Sequence, residues 1–387
     1  MNQGSIVEAG PAIPRRALRR RPSSPAVILM SVDAVGGVWR YAMELARALP
    51  RQSYRVVFAG LGPKPRQEQV KEAKALGDLV WLDQPLDWMT DSPEDLAAVG
   101  PALSALSHEC GADLLHLNLP SQAAGLNSHL PVVTVAHSCL PTWWKAVKGT
   151  TLPARWRWHL QINQAGFDAS NAIVVPSGSH AQNVSDCYRC LDRLQVVHNG
   201  IASFLPRARG EPMLFAAGRW WDEGKNGAIL SGAAPRLDWP MVAAGPLTSP
   251  EGQTLDLPGV RTLGPLAHEQ VLDHMRRADI LVSPSIYEPF GLAPLEGARA
   301  GAALMLANIA TYRELWEGSA IFFDPTDPGD LAAKASMLIQ DAEMRAAGAS
   351  AALSRSRSFT PDRQAAAMDA IYRSHLPQPV PYALEVS

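Results

Sequence analysis

Two glutamates, Glu288 and Glu296, lie on either side of a glycine turn and are separated by seven residues. The apolar run from Ala278 to Ser283 predicts a strand before them, and residues 292–300 predict a helix. Such a strand-to-helix turn directs backbone N–H groups and the positive end of the helix dipole at a ligand above it. Gly291 has no side chain to keep a phosphate from that backbone. Amides for phosphate and carboxylates for hydroxyls together suit a nucleotide sugar, although either glutamate alone is typical of a solvated surface.

Two cations follow the apolar run MLFAAG, which predicts a buried strand starting near Met213. Arg219 supplies a planar guanidinium fork and Lys225 a compact point charge. A phosphate leaving group can use both kinds of positive partner. Without further context, a solvated pair of charges after a strand is an equally good interpretation.

Polar residues also follow strands predicted in the first half of the chain. Gly36 and Gly37 come between the strand AVILMSV and a predicted helix over residues 38–49, without the spacing of a dinucleotide fingerprint. His116, Asn118 and His137 fall at the C-terminal ends of the later strands predicted over residues 113–117 and 132–136. In a parallel sheet these positions fall at the edge where ligands bind, although a lone histidine there is more often structural.

Residues 138–161 show no simple periodicity and combine four tryptophans with four cations. Aromatic rings can stack on sugars or lie at a membrane interface, where the cations would meet lipid headgroups. The alternative is a helix–loop–helix lid whose tryptophans pack on their own domain. The residues concerned are Trp143, Trp144, Trp156, Trp158, Lys145, Lys148, Arg155 and Arg157.

The elements that must position these residues alternate between short apolar strands and amphipathic helices along the chain. This alternation predicts an α/β fold with parallel sheets, and 387 residues favour two domains. A helix is expected over residues 93–110 with an interruption at Gly100–Pro101, and an interdomain linker over residues 202–212. Another amphipathic helix is predicted over residues 360–375.

Composition and net charge indicate a globular protein and give no support for nucleic-acid binding. Apolar residues make up 47% of the chain and charged residues 19%, which is enough for two globular cores. The net charge of −2 gives no electrostatic case for nucleic acid as a partner. An arginine-rich arm over residues 1–25 predicts disorder, with contact to anionic lipid as the alternative.

No apolar run reaches the ~18 residues that span a bilayer. Of the four cysteines, only Cys187 and Cys190 are spaced as a pair, and no second pair completes a zinc site. We therefore expect reduced cysteines and a cytoplasmic protein, with peripheral membrane association as a possibility that the arm and the tryptophans raise.

The combination of SPS from Ser283, EPFGL from Glu288, and Glu296 resembles the donor site of retaining GT-B glycosyltransferases of family 4, also called group 1. The resemblance implies two facing Rossmann-like domains with the active site in the cleft. It departs at Gly297, where alanine is common. It extends over residues 26–376 and implies an acceptor-side domain (26–205), a donor domain (206–359), a helix crossing back to the first domain (360–376) and a tail (377–387).

The same resemblance implies a role for each site residue. Glu288 would lie beside the donor sugar, as would His137 in the sequence TVAHSC. Glu296 would hold the nucleotide ribose, and the segment Gly264-Pro265-Leu266 the base. The diphosphate would be bound by Arg219, Lys225, the amides of Phe290, Gly291 and Leu292, and the loop of Gly36 and Gly37.

The sequence thus predicts retaining transfer of a sugar from a nucleotide diphosphate sugar to a glycan, lipid-linked or small-molecule acceptor. Trp143, Trp144 and Lys145 are candidates for acceptor binding. Neither a cofactor nor a metal is expected, because protein cations oppose the leaving group and no Asp-x-Asp motif is present. A sugar-nucleotide epimerase or phosphorylase, or a non-catalytic nucleotide-sugar-binding protein, remains an alternative. A nicotinamide dehydrogenase is disfavoured because no GxGxxG follows the first strand.

Overall fold

The computed structural model describes residues 24–189, 191–202, 206–208, 210–249 and 252–376. Nearly all of the predicted basic arm, several residues of the predicted linker, and the tail lie outside this part of the chain. Cys190 lies outside it too, and the three described cysteines are free thiols.

The first unit is a seven-stranded parallel sheet whose strands are short runs of apolar residues. Its strands are β1 (Ala26–Asp33), β2 (Tyr54–Leu61), β3 (Asp78–Trp81), β4 (Leu114–Leu117), β5 (Val132–Val135), β6 (Ala172–Val175) and β7 (Leu194–Val196). Their spatial order is β3-β2-β1-β4-β5-β6-β7. The order reverses direction beside β1, so β1 and β4 form the switch point at which ligands bind in such sheets.

Six helices connect these strands: α1 (Gly37–Ala48), α2 (Gln67–Leu76), α3 (Val99–Glu109), α4 (Leu140–Lys148), α5 (Trp158–Ala169) and α6 (Gly178–Ser185). The expected interruption of the third helix at Gly100–Pro101 is wrong, because α3 runs through both residues. Pro101 is the third helical residue, where an N–H would have no partner within the helix in any case. The break comes earlier, between a 3₁₀ turn at Pro93–Leu96 and the start of α3.

The second unit repeats this plan with six parallel strands: β8 (Leu214–Ala217), β9 (Met241–Ala244), β10 (Arg261–Thr262), β11 (Ile280–Ser283), β12 (Ala303–Ala307) and β13 (Ile321–Phe323). Their order is β10-β9-β8-β11-β12-β13. Its helices are α7 (Ala228–Ala233), α8 (His268–Arg277), α9 (Leu292–Arg299), α10 (Ala310–Trp316), α11 (Pro328–Gln340) and α12 (Ala342–Ser356). The prediction of two Rossmann-like units is confirmed.

The last helix, α13 (Pro361–His375), packs on α1 of the first unit. Its Met368, Ile371 and Tyr372 are buried in the first unit's core. The hydroxyl of Tyr372 lies 2.6 Å from Nδ1 of the fully buried His116. His116 therefore has a structural role, as a lone histidine at a strand end most often does.

The two units also meet through a carboxylate at the start of α6. Glu314, on α10, accepts hydrogen bonds from the backbone N–H groups of Gly178 and Ser179, at 2.8 and 2.6 Å. An anion at a helix N-terminus is stabilised by the dipole and satisfies amides that the helix leaves unpaired. The cleft between the units is thus bridged at this point.

Candidate active site

The glycine loop of the first unit faces the cationic turn of the second. A Cβ placed on Gly36 would lie 3.3 Å from Nη1 of Arg219, and one on Gly37 would lie 3.5 Å from Cδ1 of Leu292. Both glycines follow β1, and Leu292 begins α9 after β11. The structure therefore brings the glycine loop of the first unit together with both phosphate-binding turns predicted in the second.

Arg219 and Lys225 belong to a tight turn that follows β8. Asp222 begins its 3₁₀ segment and accepts a hydrogen bond from the N–H of Gly224 at 2.9 Å. Nη2 of Arg219 lies 3.5 Å from the other oxygen of Asp222. The indole of Trp220 is buried and donates to the carbonyl of Ala244, which anchors the turn to β9. Asp222 thus orients the arginine, whose side chain is 43% exposed and free to meet a ligand.

Lys225 and Glu288 form an ion pair across the site. Nζ donates to Oε2 at 2.5 Å, with the two side chains 21% and 16% exposed. The sequence predicts that Lys225 binds the diphosphate and that Glu288 lies beside the sugar. In the structure the two side chains are in contact. The second carboxylate oxygen of Glu288 has no hydrogen-bond partner among the described residues and can accept from a hydroxyl.

Gly291 is the N-cap of α9 and has a φ of 93°, in the left-handed region that favours glycine. A Cβ there would lie 3.0 Å from Cε1 of Tyr312, so the site is also crowded. Tyr312 is fixed by a buried hydrogen bond with Ser283 at 2.6 Å, and Phe290 is buried in the core. The amides at the start of α9 are therefore held in place below the cleft.

Glu296 is 7% exposed and has no aligned hydrogen bond among the described residues. Burial raises its pKa to about 7, while Arg40 on α1 lowers the pKa and Glu44 raises it. Nε2 of His268 lies 3.4 Å from Oε1 of Glu296 without hydrogen-bond geometry. Burial also lowers the pKa of His268 to about 4, so this imidazole is neutral at pH 7. A buried carboxylate without a partner has its acceptor sites free for hydroxyls.

A first prediction follows from this pKa. A carboxyl whose pKa rises from 4.5 to about 7 on folding binds a proton that the unfolded chain has lost, so stability falls as pH rises through that window. Glu296→Gln lacks this penalty. We therefore expect its melting temperature to exceed the wild type's by a few degrees more at pH 8 than at pH 4.5. Calorimetry at both pH values measures this, with the exposed Glu343→Gln as control; an equal offset at both pH values would contradict it.

His137 lies just beyond β5 and is held by Asn118. Its Nε2 is 2.9 Å from Oδ1 of Asn118, and Nε2 of His116 is 3.2 Å from the same oxygen. Because an amide oxygen only accepts, both Nε2 atoms carry protons. Burial, with smaller contributions from nearby His116 and His180, lowers the pKa of His137 to about 3. His137 is therefore neutral.

The predicted acceptor residues lie on α4, at the mouth of the cleft. The indole N–H of Trp143 donates to Asp222 of the second unit at 2.9 Å, and that of Trp144 donates to Thr150 at 3.2 Å. Lys145 pairs with Asp186 at 2.8 Å. Their polar groups thus have partners within the protein, and acceptor binding stays a prediction for them.

Sequence reasoning missed three residues of the site: Arg40, Asp222 and His268. Asp222 stands between the two predicted cations, where an aspartate that begins a tight turn is a readable signal. Arg40 carries no local signal, because its closeness to Glu296 depends on how the units face each other. His268 lies near Glu296 because α8 packs on α9 within the second unit, and no local pattern in the sequence shows that packing.

Among the described residues, no group of three His, Cys, Asp or Glu side chains is arranged to hold a metal ion. In the same part of the chain, every helix is too short or too polar to cross a bilayer.

Two facing Rossmann-like units with a shared cleft define the GT-B fold, and solved structures confirm it. The sucrose-phosphate synthase of Thermosynechococcus elongatus superposes with a TM-score of 0.73 at 17% identity, covering 90% of this chain and 98% of that one. HepE of Anabaena, solved with UDP and glucose, gives a TM-score of 0.71 at 15% identity, covering 90% and 100%. At these identities the likeness shows the fold alone.

The family follows from sequence models. Residues 35–203 match the model of Glycosyltransferase Family 4, and residues 211–341 match that of Glycosyl transferases group 1. The chain belongs to the group 1 glycosyltransferase family. Glycogen synthase of Mycobacterium tuberculosis is 29% identical over 193 residues, which are 44% of this chain and 46% of that protein. The match thus spans about half the length of this relative.

Proposed function

We propose that the protein is a retaining glycosyltransferase that uses a nucleotide diphosphate sugar as donor. The observation that carries the proposal is the meeting of Arg219, Lys225, the Gly36–Gly37 loop and the start of α9 in one cleft. These groups offer two cations and several backbone amides around a space lined by carboxylates. That combination fits a diphosphate joined to a sugar and a ribose.

In this proposal the main chemical task is to stabilise the departing diphosphate. Preorganised cations and amides act on charge that develops in the transition state, so they lower the barrier more than they strengthen ground-state binding. Arg219 and Lys225 supply the cations, and the amides of Phe290, Gly291 and Leu292 supply N–H groups. Lys225 pairs with Glu288, so a bound diphosphate would share this lysine with the glutamate.

The carboxylates and His137 would orient the donor. The unpartnered oxygen of Glu288 would accept a sugar hydroxyl beside the anomeric carbon. Neutral His137, held through Nε2, would face the sugar from the first unit. Glu296 would accept the ribose hydroxyls. Attack by the acceptor would come from the face of the leaving group, without a covalent intermediate.

The acceptor would enter over the first unit, past α4. A glycan, a lipid-linked sugar or a small molecule all fit this proposal, and Trp143, Trp144 and Lys145 are its candidate contacts. HepE of Anabaena has also been solved with UDP-glucose, which makes UDP-glucose the first donor to test.

A second prediction concerns metal ions. Because protein cations already oppose the diphosphate charge, excess EDTA should leave the rate of donor cleavage within about twofold of its starting value. Complete loss of activity on chelation, restored by magnesium or manganese, would contradict this mechanism.

Thermal stabilisation by nucleotide sugars tests the donor. A ligand at 100 times its Kd stabilises the folded state by about 2.7 kcal/mol, which is readily seen as a higher melting temperature. We expect one nucleotide series to stabilise the protein, and the matching donor to release its nucleoside diphosphate. Conversion of the donor to its epimer, or cleavage that requires phosphate, would instead favour an epimerase or a phosphorylase.

A further inference from the structure

Helix α4 of the first unit contacts the turn that carries both cations of the second. The indole N–H of Trp143 donates to Oδ1 of Asp222 at 2.9 Å. A Cβ placed on Gly224 would lie 2.8 Å from the same indole nitrogen. The ring therefore lies directly on this turn, and only a glycine at position 224 permits that approach.

Asp222 connects this contact to both cations. The oxygen that accepts from Trp143 also accepts from the N–H of Gly224 at 2.9 Å, and its other oxygen lies 3.5 Å from Arg219. The backbone carbonyl of Asp222 accepts from the N–H of Lys225 at 2.8 Å. A movement of Asp222 would therefore shift both the guanidinium of Arg219 and the backbone of Lys225.

The same helix also contacts the segment that carries Glu288. The hydroxyl of Tyr287 lies 2.8 Å from Oγ1 of Thr142 and 3.2 Å from Oγ of Ser138. The two segments of the second unit are joined to each other, because the carbonyl of Gly224 accepts from the N–H of Ile286 at 2.9 Å. Lys148 adds an ion pair with Glu223. One helix of the acceptor-side unit therefore holds both parts of the predicted donor site.

We propose that Trp143 is a positioning residue that couples contact between the two units to the geometry of Arg219 and Lys225. When α4 lies against the second unit, its indole fixes Asp222, and Asp222 sets the turn that presents both cations. When the units separate, this hydrogen bond is lost and the turn is free to relax. The inference deepens the proposed function, since it rests on the diphosphate role of the two cations.

The test uses Trp143→Phe in the full chain, which keeps an aromatic ring and removes the N–H donor. Trp81→Phe is the matched control, because its indole donates only to the carbonyl of Gly62, within the first unit, at 3.1 Å. Cleavage of UDP-glucose, ADP-glucose and GDP-mannose is followed by release of nucleoside diphosphate. With the donor that is cleaved, we expect Trp143→Phe to lower kcat about tenfold, while Trp81→Phe keeps a kcat near that of the wild type. The melting temperatures of both variants should lie within about two degrees of the wild type's.

A second arm separates positioning from a merely structural role. If the indole acts through the carboxylate, Trp143→Phe should have no further effect on kcat in an Asp222→Ala background. Equal effects in both backgrounds, or a Trp143→Phe variant as active as the control, would overturn the inference. If Lys225→Ala loses activity and Trp143→Phe does not, the inference is wrong but the proposed function is still supported. Failure of the wild type to cleave any of the three donors would count against both proposals.

Discussion

Replacing either cation of the cleft with alanine is expected to reduce turnover by on the order of 10²-fold or more, as removal of one preorganised donor typically does. Arg219 lies against the Gly36 loop, and Lys225 pairs with Glu288, so each has a defined place beside the expected diphosphate. Because the cations oppose charge that grows in the transition state, the loss should fall on kcat more than on donor affinity. Steady-state kinetics of donor cleavage measures it.

The matched control is Lys334→Ala. Lys334 also forms an ion pair, with Asp330 one turn away on α11, but this pair lies within a single helix outside the cleft. Lys334→Ala should keep kcat within about twofold of the wild-type value. Near-normal rates in both Arg219→Ala and Lys225→Ala would show that these residues do not bind the leaving group.

The second large effect separates the two glutamates. Glu296→Gln should weaken binding of the free nucleoside diphosphate, because a hydrogen bond to a charged acceptor contributes roughly 1.5–3 kcal/mol, or about tenfold to a hundredfold in affinity. Glu288→Gln should not weaken that affinity, since it leaves Lys225 free for the diphosphate, and it should reduce turnover of the complete donor. Calorimetry with the nucleoside diphosphate, together with steady-state kinetics, measures both effects.

Glu296 adds a dependence on pH that Glu288 does not share. Since burial raises the pKa of Glu296 to about 7, its charged form becomes dominant only above neutrality. Affinity of the wild type for the nucleoside diphosphate should therefore rise between pH 6 and 8, and this rise should be absent in Glu296→Gln. The reverse assignment of the two variants, or two silent variants, would mean that this segment is an ordinary strand–turn–helix.

Much of the candidate site could be proposed from the sequence because its parts are local. Glu288, Gly291 and Glu296 lie within one strand–turn–helix, whose periodicity and glycine are readable from the sequence. Arg219 and Lys225 likewise share one turn. The alternation of strands and helices along the chain is enough to predict the α/β fold class.

Contacts between distant segments could not be predicted in this way. The hydrogen bond from Trp143 to Asp222 joins residues 79 positions apart and exists only because the two units face each other. The tryptophan-rich segment was therefore ambiguous from sequence, and its cations Lys145 and Lys148 proved to be paired with Asp186 and Glu223. The influence of Arg40 and Glu44 of the first unit on the pKa of Glu296 depends on the same arrangement.

Cleavage of nucleotide sugars by the purified full chain tests the central claim most directly. UDP-, ADP- and GDP-linked sugars are each incubated with wild type and with Lys225→Ala, and release of the nucleoside diphosphate is followed by NMR. We predict that the wild type cleaves the sugar–phosphate bond of at least one donor and that Lys225→Ala does so at least about 10²-fold more slowly. A folded wild type that neither binds nor cleaves any of these donors would contradict the assignment, as would a Lys225→Ala variant that cleaves them at the same rate.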